Sequence, residues 1–221
     1  MIGDIRVLIV DDQELVRYGF RLMLEAEPGI DVVGEAGDGS AAVTETERLR
    51  PDVVLMDVRM PGMGGVEATR LITARLPDTR VLVLTTYDLD ESAFGALDAG
   101  ASGFLLKDTR AAELVAAIRA VNSGDAVLSP RITAKLIQLA GPRLNTDHTT
   151  DADNALSTLT PRERDVFRLI GAGATNGEIA EALFLSESTV KAHVGRVLLK
   201  QGLRDRVQAV IRAHELGIVG R

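Results

Sequence analysis

Residues 53–57 read Val53-Val54-Leu55-Met56-Asp57. Four apolar side chains in succession lead straight into a carboxylate. A run with no polar alternation suits a strand buried on both faces, as in parallel sheets. Four other runs share the pattern: Val7-Leu8-Ile9-Val10, Val32-Val33-Gly34-Glu35-Ala36, Val81-Leu82-Val83-Leu84 and Gly103-Phe104-Leu105-Leu106. Between them lie stretches of helical spacing. Leu15, Phe20, Leu22 and Met23 mark one, Val66, Thr69, Leu71 and Ile72 another, and Leu114, Val115, Ile118 and Val121 a third. Strands alternating with helices, joined by right-handed crossovers, predict an α/β doubly wound fold with a five-stranded parallel sheet, flavodoxin-like in order 2-1-3-4-5.

The chemistry-bearing residues fall at the ends of these runs. Asp11 and Asp12 follow the first, Asp57 the third, Thr85 closes the fourth and Lys107 the fifth. Taken singly, each has an ordinary account: a turn aspartate, a β-forming threonine, a solvated lysine. Taken together they are more telling, because doubly wound sheets bind ligands at the carboxyl ends of their strands, where the strand order reverses. In that order Asp11, Asp12 and Asp57 share one pocket. Three neighbouring carboxylates repel unless a cation sits among them. Mg²⁺, a hard ion with oxygen ligands, is the expected partner. Asp57 is then placed to act as a nucleophile toward phosphorus, with Lys107 and Thr85 meeting the phosphoryl oxygens.

The stretches VLIVDD (7–12), VVLMDVRMPGMGG (53–65), VLVLTTYD (81–88) and AGASGFLLKD (99–108) resemble the receiver domain of response regulators. The resemblance implies that Asp57 is the phosphoacceptor. It implies a Mg²⁺ site made of Asp12, Asp57 and the backbone carbonyl of Arg59, with Asp11 acting through water. It assigns Thr85 and Phe104 as a coupled switch, Phe104 swinging inward, and Met60-Pro61-Gly62 as the loop after the acceptor. One departure stands out: many receivers place a cis proline after the lysine, and this chain has Asp108. A cis bond to a non-proline residue costs ~3 kcal/mol. Arg59 and Tyr87, each two residues beyond a pocket residue, are expected to flank the attacking water and slow loss of the phosphoryl group.

Beyond Gly124 the pattern changes. Ser129-Pro130 opens an expected helix over 130–140, and the polar stretch GPRLNTDHTTDADNALS (141–157) reads as linker. From Thr160 onward short helices follow. Thr160-Pro161-Arg162-Glu163 and Thr175-Asn176-Gly177-Glu178 each fit a capping box. Expected helices run over 176–183, 187–201 with Ser186 as cap, and 204–216, stopped by Gly217. The domains are thus 1–124, a linker at 125–157, and 158–221.

Residues 159–213 resemble the LuxR-type helix-turn-helix domain, and the two halves together are similar to the NarL/FixJ family of response regulators. The helix over 187–201 is expected to enter the major groove, with Val190, Val194, Val197 and Leu198 facing inward. Candidate DNA contacts are Ser188, Thr189, Lys191, Ala192, His193, Arg196 and Lys200. Lys191 suits a guanine edge and Ala192 a thymine methyl. Thr189, His193, Arg196 and Lys200 suit phosphates or the domain's own packing. Some relatives place a base-reading lysine where Gly195 stands. The family also implies a four-helix all-α domain and a homodimer on a pseudo-palindromic site.

The 221 residues carry a net charge of -7, with 46% hydrophobic and 26% charged residues and no cysteine. That excludes a disulfide framework and a thiolate metal site. Residues 1–155 hold 15 Lys+Arg against 25 Asp+Glu, and residues 156–221 hold 10 against 7. Only the C-terminal part has the sign that meets nucleic acid. No secretory leader or membrane span is legible, so a cytoplasmic protein is expected. The reading is a non-enzymatic two-component response regulator. A sensor histidine kinase phosphorylates Asp57, the chain dimerises, and it binds promoter DNA, with RNA polymerase as a further partner. Two alternatives have distinct signatures. A phosphorylation-independent dimerisation module would lack labelling at Asp57. An aspartyl-phosphate hydrolase usually has a second Asp two residues after the nucleophile, where Arg59 stands here.

Overall fold

The computed structural model describes residues 3–85, 91–124 and 156–219. The chain divides into two compact units, Met1–Ser129 and Pro130–Arg221. The break lies within 125–157, and the helix expected over 130–140 lies outside the described residues.

In the first unit the apolar runs form five parallel strands: β1 (Ile5–Val10), β2 (Ile30–Ala36), β3 (Val53–Asp57), β4 (Arg80–Thr85) and β5 (Gly103–Leu106). Their order is β2-β1-β3-β4-β5. Every residue of β3 is buried, as its unbroken apolar run requires of a central strand. β2, at one edge, alternates more, with Asp31 exposed and Glu35 half-buried. The intervening helices are α1 (Glu14–Glu25), α2 (Gly39–Leu49), α3 (Gly65–Arg75), α4 (Glu91–Asp98) and α5 (Ala111–Asn122).

One core joins Val7, Ile9, Leu55, Leu82 and Leu84 of the sheet to Phe20 and Leu24 of α1 and Leu114, Ile118 and Val121 of α5. Full burial of each large side chain contributes roughly 1.5–3 kcal/mol. On α5 the expected apolar positions all face inward. On α1 they do not. Phe20 is buried and Met23 packs against the core, but Leu15 is 85% exposed and Leu22 52%. The inward stripe is Val16, Phe20, Met23 and Leu24, so two of the four apolar residues that mark this helix lie outside its buried face.

The second unit contains α6 (Pro161–Gly171), α7 (Asn176–Leu183), α8 (Glu187–Gln201) and α9 (Arg206–Glu215). Both capping boxes are formed, with Pro161 opening α6. The bounds of α7 and α8 match expectation. α8 ends at Gly202, whose left-handed backbone (φ 63°) suits a residue with no side chain. α9 starts two residues later than expected, because Asp205 stays extended and its carboxylate accepts the Gln208 N–H at 3.1 Å. A carboxylate serves a helix better as cap than inside the first turn. Leu159, Phe167, Ile179, Val190, Val197 and Val210 lie among this unit's core residues.

Candidate functional site

The carboxyl ends of β1, β3, β4 and β5 bring the predicted residues together. Asp57 is the last residue of β3 and Thr85 the last of β4; Asp11 and Lys107 immediately follow β1 and β5. Lys107 Nζ lies 2.5 Å from Asp11 Oδ2 and 3.1 Å from Asp57 Oδ2. Its backbone N–H donates to the Thr85 carbonyl at 2.8 Å, which ties the two strand ends. Asp11, Asp57 and Thr85 are all buried, whereas Asp12 is exposed and gives the pocket its solvent side. One carboxylate oxygen from each of Asp11, Asp12 and Asp57 lies within 4.8 Å of the others.

Burial pushes the Asp57 carboxyl above the ordinary aspartate range. The Lys107 charge and a backbone hydrogen bond from Arg59 pull it back, and the neighbouring Asp11 adds to the rise. The pocket therefore carries three carboxylates against one ammonium, a set of hard oxygen donors with a deficit of positive charge. That donor chemistry fits a divalent cation. The Asp11 carboxylate is already engaged on both oxygens, by Lys107 and by the Gln13 N–H at 3.0 Å.

The loop after the acceptor returns to the pocket at Gly65. Its N–H donates to the Val58 carbonyl at 2.9 Å. A Cβ at this position would overlap the Asp57 carbonyl, so the start of α3 can approach β3 only as glycine. The Arg59 side chain is exposed, and Tyr87 lies outside the described residues. Phe104 is buried at 1% exposure beside its register partner Val83, so this structure holds the ring inward. No peptide bond among the described residues is cis, and the Lys107–Asp108 bond is trans.

Sequence reading missed Arg17, whose guanidinium reaches the Asp11 carbonyl and Glu35. Only the parallel pairing of β1 with β2 brings those acceptors to one side chain, and no local motif announces it.

In the second unit, Ser186 caps α8 by accepting the Thr189 N–H at 3.2 Å. Its hydroxyl also lies 2.9 Å from Ser188 Oγ and 2.8 Å from Thr189 Oγ1. Val190, Val194 and Val197 are buried and Leu198 is half-buried, as expected of the inward stripe. Ser188, Lys191, Ala192, Gly195 and Arg196 form an exposed face. Thr189 and His193 are half-buried, and His193 Nδ1 lies 3.2 Å from Arg196 Nη1. Lys200 is turned to packing within the unit, its Nζ 2.7 Å from Glu163 Oε2.

A doubly wound domain with an acidic pocket at its strand ends, in one chain with a separately folded helix-turn-helix unit, defines a class: a regulator with a switch domain and a DNA reader. The family described as the response regulator receiver domain matches residues 7–119, and the bacterial regulatory proteins of the luxR family match residues 157–213. The chain belongs to the LuxR-type response regulators.

Two relatives and one solved structure show how far the likeness extends. The transcriptional regulatory protein YxjL of Bacillus subtilis is 44% identical over 97% of each chain. LiaR of the same organism is 43% identical over 97% of this chain and 99% of its own. The response regulator RcsB of Salmonella typhimurium, solved in a study of conformational dynamism for DNA interaction, superposes with a TM-score of 0.56. It is 25% identical over 95% of this chain and 97% of its own. These relatives are named as regulators, not as enzymes. No helix among the described residues is long and apolar enough to cross a membrane.

Proposed function

We propose that this response regulator is switched by phosphorylation of Asp57 by a sensor histidine kinase, and that the phosphorylated chain dimerises and binds promoter DNA to regulate transcription. The observation that carries this reading is the single ammonium of Lys107 shared between two buried carboxylates, Asp11 and Asp57. An unpaired buried charge is expensive, and a divalent cation would offset the excess of carboxylate in this cluster.

Asp57, with its carboxylate at the pocket floor, forms the new bond to phosphorus as the donor's bond to that phosphorus breaks. Lys107 leaves the carboxylate pair to meet the phosphoryl charge, and Thr85 presents its hydroxyl from the adjacent strand end. Asp12, Asp57 and the Arg59 carbonyl would hold Mg²⁺, which supplies neutralisation of the transferred charge. The prior engagement of both Asp11 oxygens supports an indirect role for that residue, through water. Phe104 then stabilises one state of the face near β4 and β5. Dimerisation tethers two DNA-binding units and raises their effective concentration at paired half-sites. Lys191 and Ala192 address bases, while Ser188, Thr189, His193 and Arg196 address the backbone; RNA polymerase is the downstream partner.

The test is labelling of the full chain with acetyl phosphate and Mg²⁺, followed by DNA binding. Wild type is expected to incorporate one phosphoryl group and to bind selected DNA more tightly as a dimer, and Asp57→Ala to do neither. Equal DNA affinity and oligomer size in all four conditions would reject the switch.

A further inference from the structure

Asp11 is held by four separate hydrogen bonds. Its N–H donates to the Ala36 carbonyl at 3.1 Å. Its carboxylate accepts from the Gln13 N–H and from Lys107. Its carbonyl accepts from Arg17 Nη1 at 2.8 Å. That last bond is distinctive, because the carbonyl belongs to the peptide joining Asp11 to Asp12. A peptide unit is planar, so fixing its oxygen fixes the plane of the whole link. The plane in turn fixes where Asp12 N and Cα sit, and so, together with the φ of Asp12, the direction in which its side chain leaves the backbone. Asp12 is the exposed member of the acidic set, so its placement depends most on the backbone.

Arg17 is itself held. Its Nε donates to Glu35 Oε2 at 3.1 Å, and the two side chains are 17% and 27% exposed. Glu35 lies on β2, in register with Ile9 of β1. Its other oxygen takes Arg21 Nε at 2.5 Å, and Arg21 also reaches Glu25 at 3.1 Å. A guanidinium is planar, with donors fixed in a fork, so one group can span the Asp11 carbonyl and the Glu35 carboxylate at once. The ammonium of a lysine is a single point and lacks that fixed spread.

We propose that Arg17, anchored by Glu35, is a positioning residue of the acidic pocket, which fixes the Asp11–Asp12 peptide and so sets the pocket's affinity for a divalent cation. The proposal rests on the reading of that pocket as a cation and phosphoryl site. Arg17 touches neither cation nor phosphorus; it acts through the backbone. Outer groups that orient metal ligands commonly contribute 10–100-fold in metal affinity.

The test is a titration of the full chain with Mn²⁺, followed by the electron paramagnetic resonance signal of the free ion, without a phosphodonor. Thermal melts are recorded alongside. Arg17→Ala is expected to weaken Mn²⁺ binding about tenfold while the chain stays folded. Labelling of Asp57 by acetyl phosphate is expected to recover in this variant at high metal concentration. Arg17→Lys, able to satisfy one acceptor at a time, is expected to fall between the two. A merely structural arginine would lower the melting temperature and leave the metal affinity of the folded chain unchanged. A folded Arg17→Ala that binds Mn²⁺ within twofold of wild type overturns the proposal. If that variant does not fold, wild-type affinity in both Arg17→Lys and Glu35→Gln overturns it instead. Wild type that neither binds Mn²⁺ nor labels at Asp57 would overturn the underlying reading, an outcome separate from equal behaviour of wild type and variants.

Discussion

Lys200, near the end of α8, places its Nζ 2.7 Å from Oε2 of Glu163, in the first turn of α6. The same Glu163 oxygen accepts the Thr160 N–H at 2.8 Å, so one buried carboxylate closes a capping box and clamps a second helix. The hydrogen bond from Lys200, followed by that from the Thr160 backbone, holds the Glu163 carboxyl at about 2, below the ordinary value of 4.5.

A lowered folded-state value means that the unfolded chain binds the proton more readily. The stabilisation is therefore complete above about pH 4.5 and is lost as the pH falls toward 2. Far-UV circular dichroism melts are expected to show wild type losing stability through that window and Glu163→Gln losing less. At pH 7, Glu163→Ala should cost the second unit about 2 kcal/mol, the size of a hydrogen bond to a charged group. A flat difference between wild type and Glu163→Gln from pH 5 to pH 3 would sever the link.

Asp57 carries the opposite sign. Its carboxyl is raised by burial, so the folded state disfavours the ionised form at neutral pH. Asp57→Asn keeps the shape and removes the charge. In metal-free buffer at pH 7 it is expected to raise the thermal midpoint of the receiver unit, with the advantage shrinking as the pH drops and wild-type Asp57 takes up its proton. Adding Mg²⁺ should stabilise wild type and leave Asp57→Asn much less affected. A lower midpoint for Asp57→Asn at pH 7 would contradict the assignment of burial as the dominant cause.

Lys107→Met leaves Asp11 and Asp57 facing each other without their shared ammonium. Removing one preorganised partner of a transferring charge typically costs on the order of 10²–10³ in rate. Labelling by acetyl phosphate at saturating Mg²⁺ should slow by at least the lower figure. Lys107→Arg should not restore it, because the fork is larger than the point charge that this pocket encloses. Labelling of Lys107→Met within threefold of wild type would remove the lysine from the reaction.

These tests also mark what a sequence can and cannot disclose. The strand ends were legible because an apolar run terminating in a carboxylate is a local pattern, and five runs with intervening helices admit few topologies. α7 and α8 were legible for the same reason, their caps being written in adjacent residues. Leu15 and Leu22 mark the helix without marking its buried face, because a helix can carry apolar side chains on its wet face, and only the packing of Phe20 and Leu24 reveals which face is dry. Arg17 and Lys200 find their partners across 18 and 37 residues, and neither pair leaves a local signature. The late start of α9 followed from a choice at Asp205 between cap and helix interior, which propensity alone does not resolve.

Gly65→Ala tests the close approach of α3 to the acceptor. The added methyl would overlap the Asp57 carbonyl, and main chain cannot yield as a flexible side chain does. Overpacking of this kind costs typically about 1–3 kcal/mol, and the displaced strand end carries the acceptor itself. The variant is expected to melt earlier and to label poorly. A Gly65→Ala chain with wild-type midpoint and labelling would show that the loop can shift freely.

The exposed face of α8 separates two kinds of contact. Lys191 sits in the second turn after the Ser186 cap, exposed on the flank of the buried Val190, Val194 and Val197 stripe, and Arg196 lies further along the helix with its guanidinium near His193. If Lys191 reads a guanine edge, Lys191→Ala should cost about 1–3 kcal/mol and relax preference at one base position of the selected site. If Arg196 holds a phosphate, Arg196→Ala should weaken all sequences alike and lower the salt slope of binding by about 1. Titrations of selected and scrambled DNA at several salt concentrations distinguish the two. Lys200 makes a third case, because its ammonium is committed to Glu163. Lys200→Met should reduce DNA affinity chiefly in step with the stability of the second unit. A Lys200 variant with wild-type stability and a reduced salt slope would instead place that ammonium on the DNA backbone.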